Sequence, residues 1–271
     1  LSAGTDYAIW VAPDGTLEAD ASFSVAPTTG GRRVGGFHFA LGGNAPAQSG
    51  GDTTPQINEH SFYDLTWKPT CEDPRGMTLV AGGFWTDIYL LNNDPDSNGT
   101  SAAGLTIADG NSSPKVPMAF GGDGTTTYGR FTWLEAQEVF AAYGKKAPTY
   151  AEFMALAYGV TEGTDTGSDP GTTQLDANRT SRWGVMQATG NLRVWGRDVI
   201  ADGTGTGAWR NITEGRGNIY TFNDDLRAGY FGGYWSDGAD AGSRSATWNN
   251  SVSDSLGNIS GRGVCDHLVL D

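Results

Sequence analysis

The chain has 271 residues, and its 31 Asp and Glu against 17 Lys and Arg give a formal net charge of −14. An acidic surface repels a phosphate backbone, which argues against a nucleic-acid partner, and charged residues at only 18% argue against a disordered or coiled-coil chain. Glycine at 41 residues, about twice ordinary usage, beside 9 Trp, 10 Tyr and 11 Phe, describes a loop-rich, β-dominated globular protein.

In chain order, residues 7–12 form a short apolar run. Pro13-Asp14-Gly15-Thr16 then carries the Asp-Gly hairpin signal, and residues 17–23 are the predicted return strand. Residues 34–41 are a third strand, in which Gly35-Gly36 permits a bulge or a close approach. A Gly-, Ala-, Ser- and Thr-rich surface loop at 42–55 leads to a fourth strand at 57–67. Pro69 and Pro74 break both strand and helix, so a boundary is expected there, with domains at 1–67 and 68–271. Apolar runs at 77–81 and 84–91 open the second domain. Thr132-Trp133-Leu134-Glu135 and Thr149-Tyr150-Ala151-Glu152 have capping-box spacing, and Gly144 and Gly159 close the two short helices. Residues 161–180 read as a polar loop, and from Trp183 onward Gly and Trp punctuate the chain without an internal repeat. The fold class is α+β, with two helices set among strands and loops in a C-type-lectin-like layout.

Two cysteines, Cys71 and Cys265, are too few for a disulfide framework or a four-cysteine zinc site, and His38, His60 and His267 lie at no ligand spacing. Cys265 sits in an apolar run and reads as a buried thiol; no neighbouring Lys marks either cysteine as an activated thiolate. Asp94-Pro95-Asp96-Ser97-Asn98-Gly99 opens like a calcium loop, but Leu105 stands where the bidentate Glu is needed. Asp94, Asp96 and Asn98 therefore read as a polar turn, and no metal or cofactor is expected. No G-x-S-x-G elbow occurs. No run of ~18 apolar residues occurs, so membrane insertion is not expected. No leader is visible, and a first residue of Leu rather than Met leaves the expectation of a missing N-terminal portion.

Three stretches near the C-terminus resemble the variable region of the phage major tropism determinant family. They are Phe231-Gly232-Gly233-Tyr234-Trp235, Ser243-Arg244, and Arg262-Gly263-Val264-Cys265-Asp266-His267-Leu268-Val269-Leu270-Asp271. Gly4-Thr5-Asp6-Tyr7-Ala8-Ile9, Val34-Gly35-Gly36-Phe37-His38 and Gln56-Ile57-Asn58-Glu59 resemble that family's β-sandwich domain. Asp73-Pro74-Arg75-Gly76-Met77-Thr78-Leu79-Val80, Asp87-Ile88-Tyr89-Leu90-Leu91, Gly121-Gly122-Asp123-Gly124 and Trp183-Gly184-Val185 resemble its lectin domain. The resemblance implies a partial β-sandwich at 1–67 and a C-type-lectin-like (formylglycine-generating-enzyme-like) domain at 68–271. The variable region would be 231–271, and a β-prism domain would lie outside the chain. It further implies a homotrimer at a virion tail-fibre tip, binding a host cell-surface receptor, protein or glycan, through a face diversified by a retroelement, without catalysis.

The family's variable positions fall on Tyr234, Ser236, Asp237, Gly238, Asp240, Thr247, Asn249, Asn250, Asp254, Leu256, Asn258 and Ile259. None is Lys, Glu, Gln, Met or Trp, the types that the family's template randomisation does not produce. A surface that accepts many side chains cannot rely on them for folding. Phe231, Trp235, Arg244, Trp248 and the run at 264–270 are the expected holders. A Trp ring buries ~150–250 Å², and the five donors of an arginine can tie loop carbonyls together. The twelve positions are expected on one exposed patch away from the first domain, with Trp235, Arg244 and Trp248 pointing inward. A formylglycine-generating-type enzyme is the alternative from another class, discriminated by thiol labelling. A bacterial surface-displayed variable lectin is another, discriminated by flanking virion genes.

Overall fold

Apolar alternation and one Asp-Gly turn build the first sheet. In a computed structural model of the protein, which describes residues 1–201, 206–210, 219–221 and 226–269, β1 (Thr5–Val11) and β2 (Leu17–Asp20) form the expected hairpin. The return strand stops at Asp20, whose carboxylate accepts from Ser22 N at 2.7 Å and turns the chain. The other edge of β1 takes β3 (Arg32–Ala40), which pairs in turn with β4 (Gln56–Ile57) and β5 (Tyr63–Asp64). A Cβ on Gly35 would fall on the backbone of Tyr63, so the glycine permits that pairing. The fourth strand predicted over 57–67 is therefore two short strands. Between them Asn58 caps a 3-10 turn, Glu59–Ser61, and its side-chain amide donates to Trp183 O at 3.0 Å, a tertiary anchor that overrides the local alternation.

The remaining elements are β6 (Met77–Val80), β7 (Phe84–Asp87), the one-turn α1 (Pro95–Asn98), α2 (Trp133–Ala142), α3 (Tyr150–Leu156), β8 (Arg193–Ala201), β9 (Ala208–Arg210), β10 (Ile219–Thr221), β11 (Leu226–Phe231), β12 (Ala246–Ser251), β13 (Ile259–Ser260) and β14 (Val264–Asp266). Both predicted capping boxes form: Thr132 and Thr149 cap α2 and α3, and Glu135 and Glu152 return to the cap N–H at 2.8 and 2.7 Å. Strands run β12-β11-β8-β13 in one sheet and β14-β7-β6 in another, while β9 and β10 pair by themselves. Two buried clusters meet around β8 and β11. Phe153, Leu156 and Val160 pack with Leu192, Val194 and Phe231; Phe131, Val139 and Phe140 pack with Trp195, Tyr230, Val252 and Ile259.

The first sheet is seated on the rest through a third cluster, Ala40 with Ile88, Tyr89 and Met186. His38 bridges the two parts, with Nδ1 3.0 Å from Asp6 and Nε2 3.0 Å from the Tyr89 hydroxyl. The stretch 42–55 is not a free surface loop: Ala45, Gly50 and Gly51 donate to the carbonyls of Ser181, Gly159 and Ala177. The boundary segment is not a free linker either, because Pro69 bridges His267 and Thr70 N donates to Asp266 O at 2.9 Å. Of the holder run at 264–270, residue 270 lies outside the described residues. Among the described residues no helix is long and apolar enough to cross a membrane.

Candidate functional site

Gly232 and Gly233, with φ of +94° and +76°, turn the chain out of β11 into the first loop of the candidate face. A Cβ on Gly233 would come 2.7 Å from Ala241, so the loop closes on itself there. Residues 161–165 support this loop from below. The Glu162 carboxylate accepts from Ser243 N at 2.9 Å and Ser243 Oγ at 2.5 Å, Asp165 accepts from Gly238 N at 2.5 Å, and Gly163 N donates to Ala241 O. The stretch predicted as a polar loop is thus a strut. The second loop, between β12 and β13, rests on Gly110, whose N donates to Leu256 O, and on Phe131 N, which donates to Ser255 Oγ at 3.0 Å.

Two residues outside the twelve positions tie the loops and β12 together. Arg193, first in β8, donates from Nε and Nη2 to Asp237 at 3.1 and 2.7 Å. Its guanidinium lies 4.3 Å from the Tyr234 ring centroid and 5.2 Å from that of Tyr230, within cation–π range. Its backbone N donates to Asn258 O at 3.1 Å. The Tyr230 hydroxyl, on β11, donates to Asn249 Oδ1 and to Asn250 Oδ1, the latter at 3.1 Å. Burial raises the Tyr230 phenol, so it remains a donor at neutral pH. Tyr234, Asp237, Asn249, Asn250 and Asn258 therefore converge on one arginine and one tyrosine.

Ser236, Gly238, Asp240, Asn249 and Leu256 are exposed, and Tyr234, Asp237, Thr247, Asn250, Asp254 and Asn258 are half-buried. Ile259 departs from expectation at 0% exposure. As the first residue of β13 it pairs in parallel with Arg193, and its side chain enters the cluster of Trp195, Tyr230 and Val252. Phe231 is buried as expected, and Trp248 lies edge-on to Tyr150 and Phe231 at 5.6 and 6.1 Å. Trp235 is half-buried against the same cluster. Arg244 is a correction: it is exposed, and only its carbonyl is used, by the Tyr150 hydroxyl at 2.7 Å.

The arginine that ties carbonyls is Arg262, 0% exposed, which donates to Asp87 O, Ile88 O and Met186 O at 2.7–2.8 Å. A charge between two glycines, Gly261 and Gly263, amid apolar residues is a sequence signal for such a role. Nothing local marks Arg193 or Tyr230, whose meeting depends on the pairing of β8 with β11.

In the calcium-like segment Asp94 caps α1 and pairs with Lys115 at 2.6 Å, which holds its carboxyl below the usual range. Asp96 accepts from the Tyr143 hydroxyl at 2.6 Å, and the Asn98 amide donates to Asp94 O at 3.0 Å. The cysteines also depart from expectation. Both are buried, but the Cys71 thiol beside Cys265 draws the latter down to about 6, against the effect of burial.

A sheet-based first part thus sits against a larger part of strands and short helices whose loops are held by fixed residues and open to solvent, a construction suited to display. The family described as "Mtd second domain" matches residues 1–64. A tail fiber receptor-binding protein of Bordetella phage BPP-1 is 47% identical, covering 100% of this chain and 73% of that relative. The solved Major Tropism Determinant U1 variant is 48% identical with a TM-score of 0.94, and the P3c variant 47% identical with a TM-score of 0.93, each covering 100% of this chain and 74% of the other. The chain belongs to the major tropism determinant family.

Proposed function

We infer that the chain is a tropism-determining receptor-binding protein of a phage tail-fibre tip, holding a variable face toward a host cell-surface molecule. The face comprises Tyr234, Ser236, Asp237, Gly238, Asp240, Thr247, Asn249, Asn250, Asp254, Leu256 and Asn258, on a C-type-lectin-like domain that follows a β-sandwich, and Ile259 is its floor. One observation carries the reading: positions from both loops and β12 gather around Arg193 and Tyr230, while the struts beneath come from residues outside the variable set. Polar loops with a few aromatic and aliphatic groups suit adaptable recognition, as in antibody paratopes. Display as a homotrimer in several copies would raise avidity by ~10²–10⁴ without new contacts. Retroelement-driven diversification is the source of variation implied by the family's pattern. The relatives are receptor-binding proteins, and we assign no catalytic step to this chain.

The test titrates labelled protein onto cells of a strain that the parent phage adsorbs to, beside a double variant, Asp240→Arg with Leu256→Glu. Both positions are exposed, so melting should not change, while binding should fall at least about tenfold. Equal binding by the variant would overturn the face.

A further inference from the structure

Cys71 and Cys265 stand 194 positions apart in the chain and meet where the boundary segment runs beside β14. The Pro69–His267 bridge and the bond from Thr70 N to Asp266 O set that segment antiparallel to the strand and bring Cys71 across from Cys265. The Cys71 N–H donates to Cys265 Sγ at 3.0 Å, and Thr70 Oγ1 lies 3.0 Å from the same sulfur. Both cysteines are free, and both are only 3% exposed within a cluster with Met77 and Trp85. The two contacts at Cys265 Sγ put the Cys71 backbone against that sulfur, and a disulfide spans Cα separations of ~4.4–6.8 Å. Cys71 and Thr70, which both contact Cys265 Sγ, line a cleft of about 880 Å³ with Asp73, Arg75, Tyr143 and Lys145, which brings a water-sized solute as far as the Cys71 side of the pair. The two sulfurs differ in state. The neighbouring Cys71, with Thr70, favours a thiolate at Cys265, while nearness to Cys265 and burial push up the Cys71 thiol, which lies 3.4 Å from Asp73 O and from Met77 Sδ. A nucleophilic thiolate beside a resolving thiol is the arrangement that oxidation to a disulfide requires.

We propose that Cys71 and Cys265 are a redox clamp: hydrogen peroxide converts the pair to an intramolecular disulfide that fastens the C-terminal strand to the junction of the two units. The Cys265 thiolate attacks peroxide; an S–O bond forms, the O–O bond breaks, and hydroxide leaves, so peroxide is reduced and Cys265 becomes a sulfenic acid. The Cys71 sulfur then gives up its proton and attacks Cys265 Sγ; the S–S bond forms, the S–O bond breaks, and hydroxide leaves with that proton as water. With the proton first lost from Cys265, two thiols and one peroxide yield one disulfide and two waters. The bond would close a loop holding nearly all of the second unit, the candidate face included, and so restrict its unfolding.

The experiment treats folded, pre-reduced protein with hydrogen peroxide, removes the oxidant, alkylates under denaturing conditions and maps peptides without reductant. The expected result is loss of both alkylatable thiols and one linked peptide pair containing Cys71 and Cys265, lighter than the two free peptides by two hydrogens. The melting temperature should rise and return to its starting value with dithiothreitol. In Cys71→Ser the link should be absent and Cys265 should carry sulfenic or sulfinic acid; if that variant does not fold, the wild-type map decides alone. Two alkylatable thiols after treatment would overturn the clamp, as would a sulfinic Cys265 beside an alkylatable Cys71, or links only between chains.

Discussion

At the residue scale the structure rests on a few buried charges that each hold several partners. Arg262 holds three carbonyls of two different segments, and Lys145 donates to Asp87 at 2.5 Å and Thr100 at 2.7 Å. Removing the guanidinium strands buried acceptors and opens a cavity. Arg262→Ala should therefore lose about 4 kcal/mol or more in urea unfolding, the upper end of single-substitution effects; a loss under ~1 kcal/mol would contradict the assigned role. His60 makes a second prediction. Burial holds its imidazole below the ordinary value, in opposition to Glu59, and its ring lies 5.1 Å from that of Trp183. The folded state thus binds this proton less readily than the unfolded state. The associated stability is present above ~6.5, the ordinary histidine value, and is lost as pH falls through the folded value. The melting temperature should drop between pH 7 and pH 5 by more in the wild type than in His60→Gln, and superimposable curves would remove His60 as the cause.

At the element scale, what is legible in the sequence depends on how local its cause is. The β1–β2 turn and both capping boxes are set by residues within three positions of each other, and they form as the sequence predicts. The strand expected at 57–67 fails because Asn58 answers to Trp183, 125 positions away. Ile259 is expected at the surface because the family's variable positions fall on it, yet β8 draws it inward. Arg244 is expected as a tie because it stands in the variable-region pattern and has five donors, while the tie is supplied by Arg262, later in the same region. Thr132→Ala and Thr149→Ala should each lower stability by about 1 kcal/mol, within the ~0.5–2 range of lost N-caps, and the helical signal in circular dichroism should fall with them. The candidate face should behave otherwise. With Asn249, Asn250 and Asn258 all changed to Ser, the Tyr230 hydroxyl loses its acceptors and the Thr247 hydroxyl loses a solvent-exposed one. One net hydrogen bond is worth ~1 kcal/mol, so melting should fall by ~2–4 °C. A fall several times larger would show that these asparagines are structural.

At the scale of the whole molecule, the sheet of residues 1–64 and the larger unit are one packed object, sharing Ala40, Tyr89 and the His38 bridge. A chelator should find nothing to take from that object at the calcium-like segment. Asp94 and Asp96 are engaged by Lys115 and Tyr143, so excess EDTA should leave both melting and cell binding unchanged; a loss restored by calcium would mean that these pairs open to a cation. The order of elements along the chain has a further effect. The candidate face is followed in the chain by Arg262 and β14, and those last pieces close the core around β7 and β8. A chain cut short anywhere in the candidate face is without its keystone arginine and without the edge strand beside Trp85. Such a product cannot complete its fold. Placing the candidate face before the closing elements therefore makes folding itself a proofreader: a chain that carries the face without its last pieces lacks the core that would hold it.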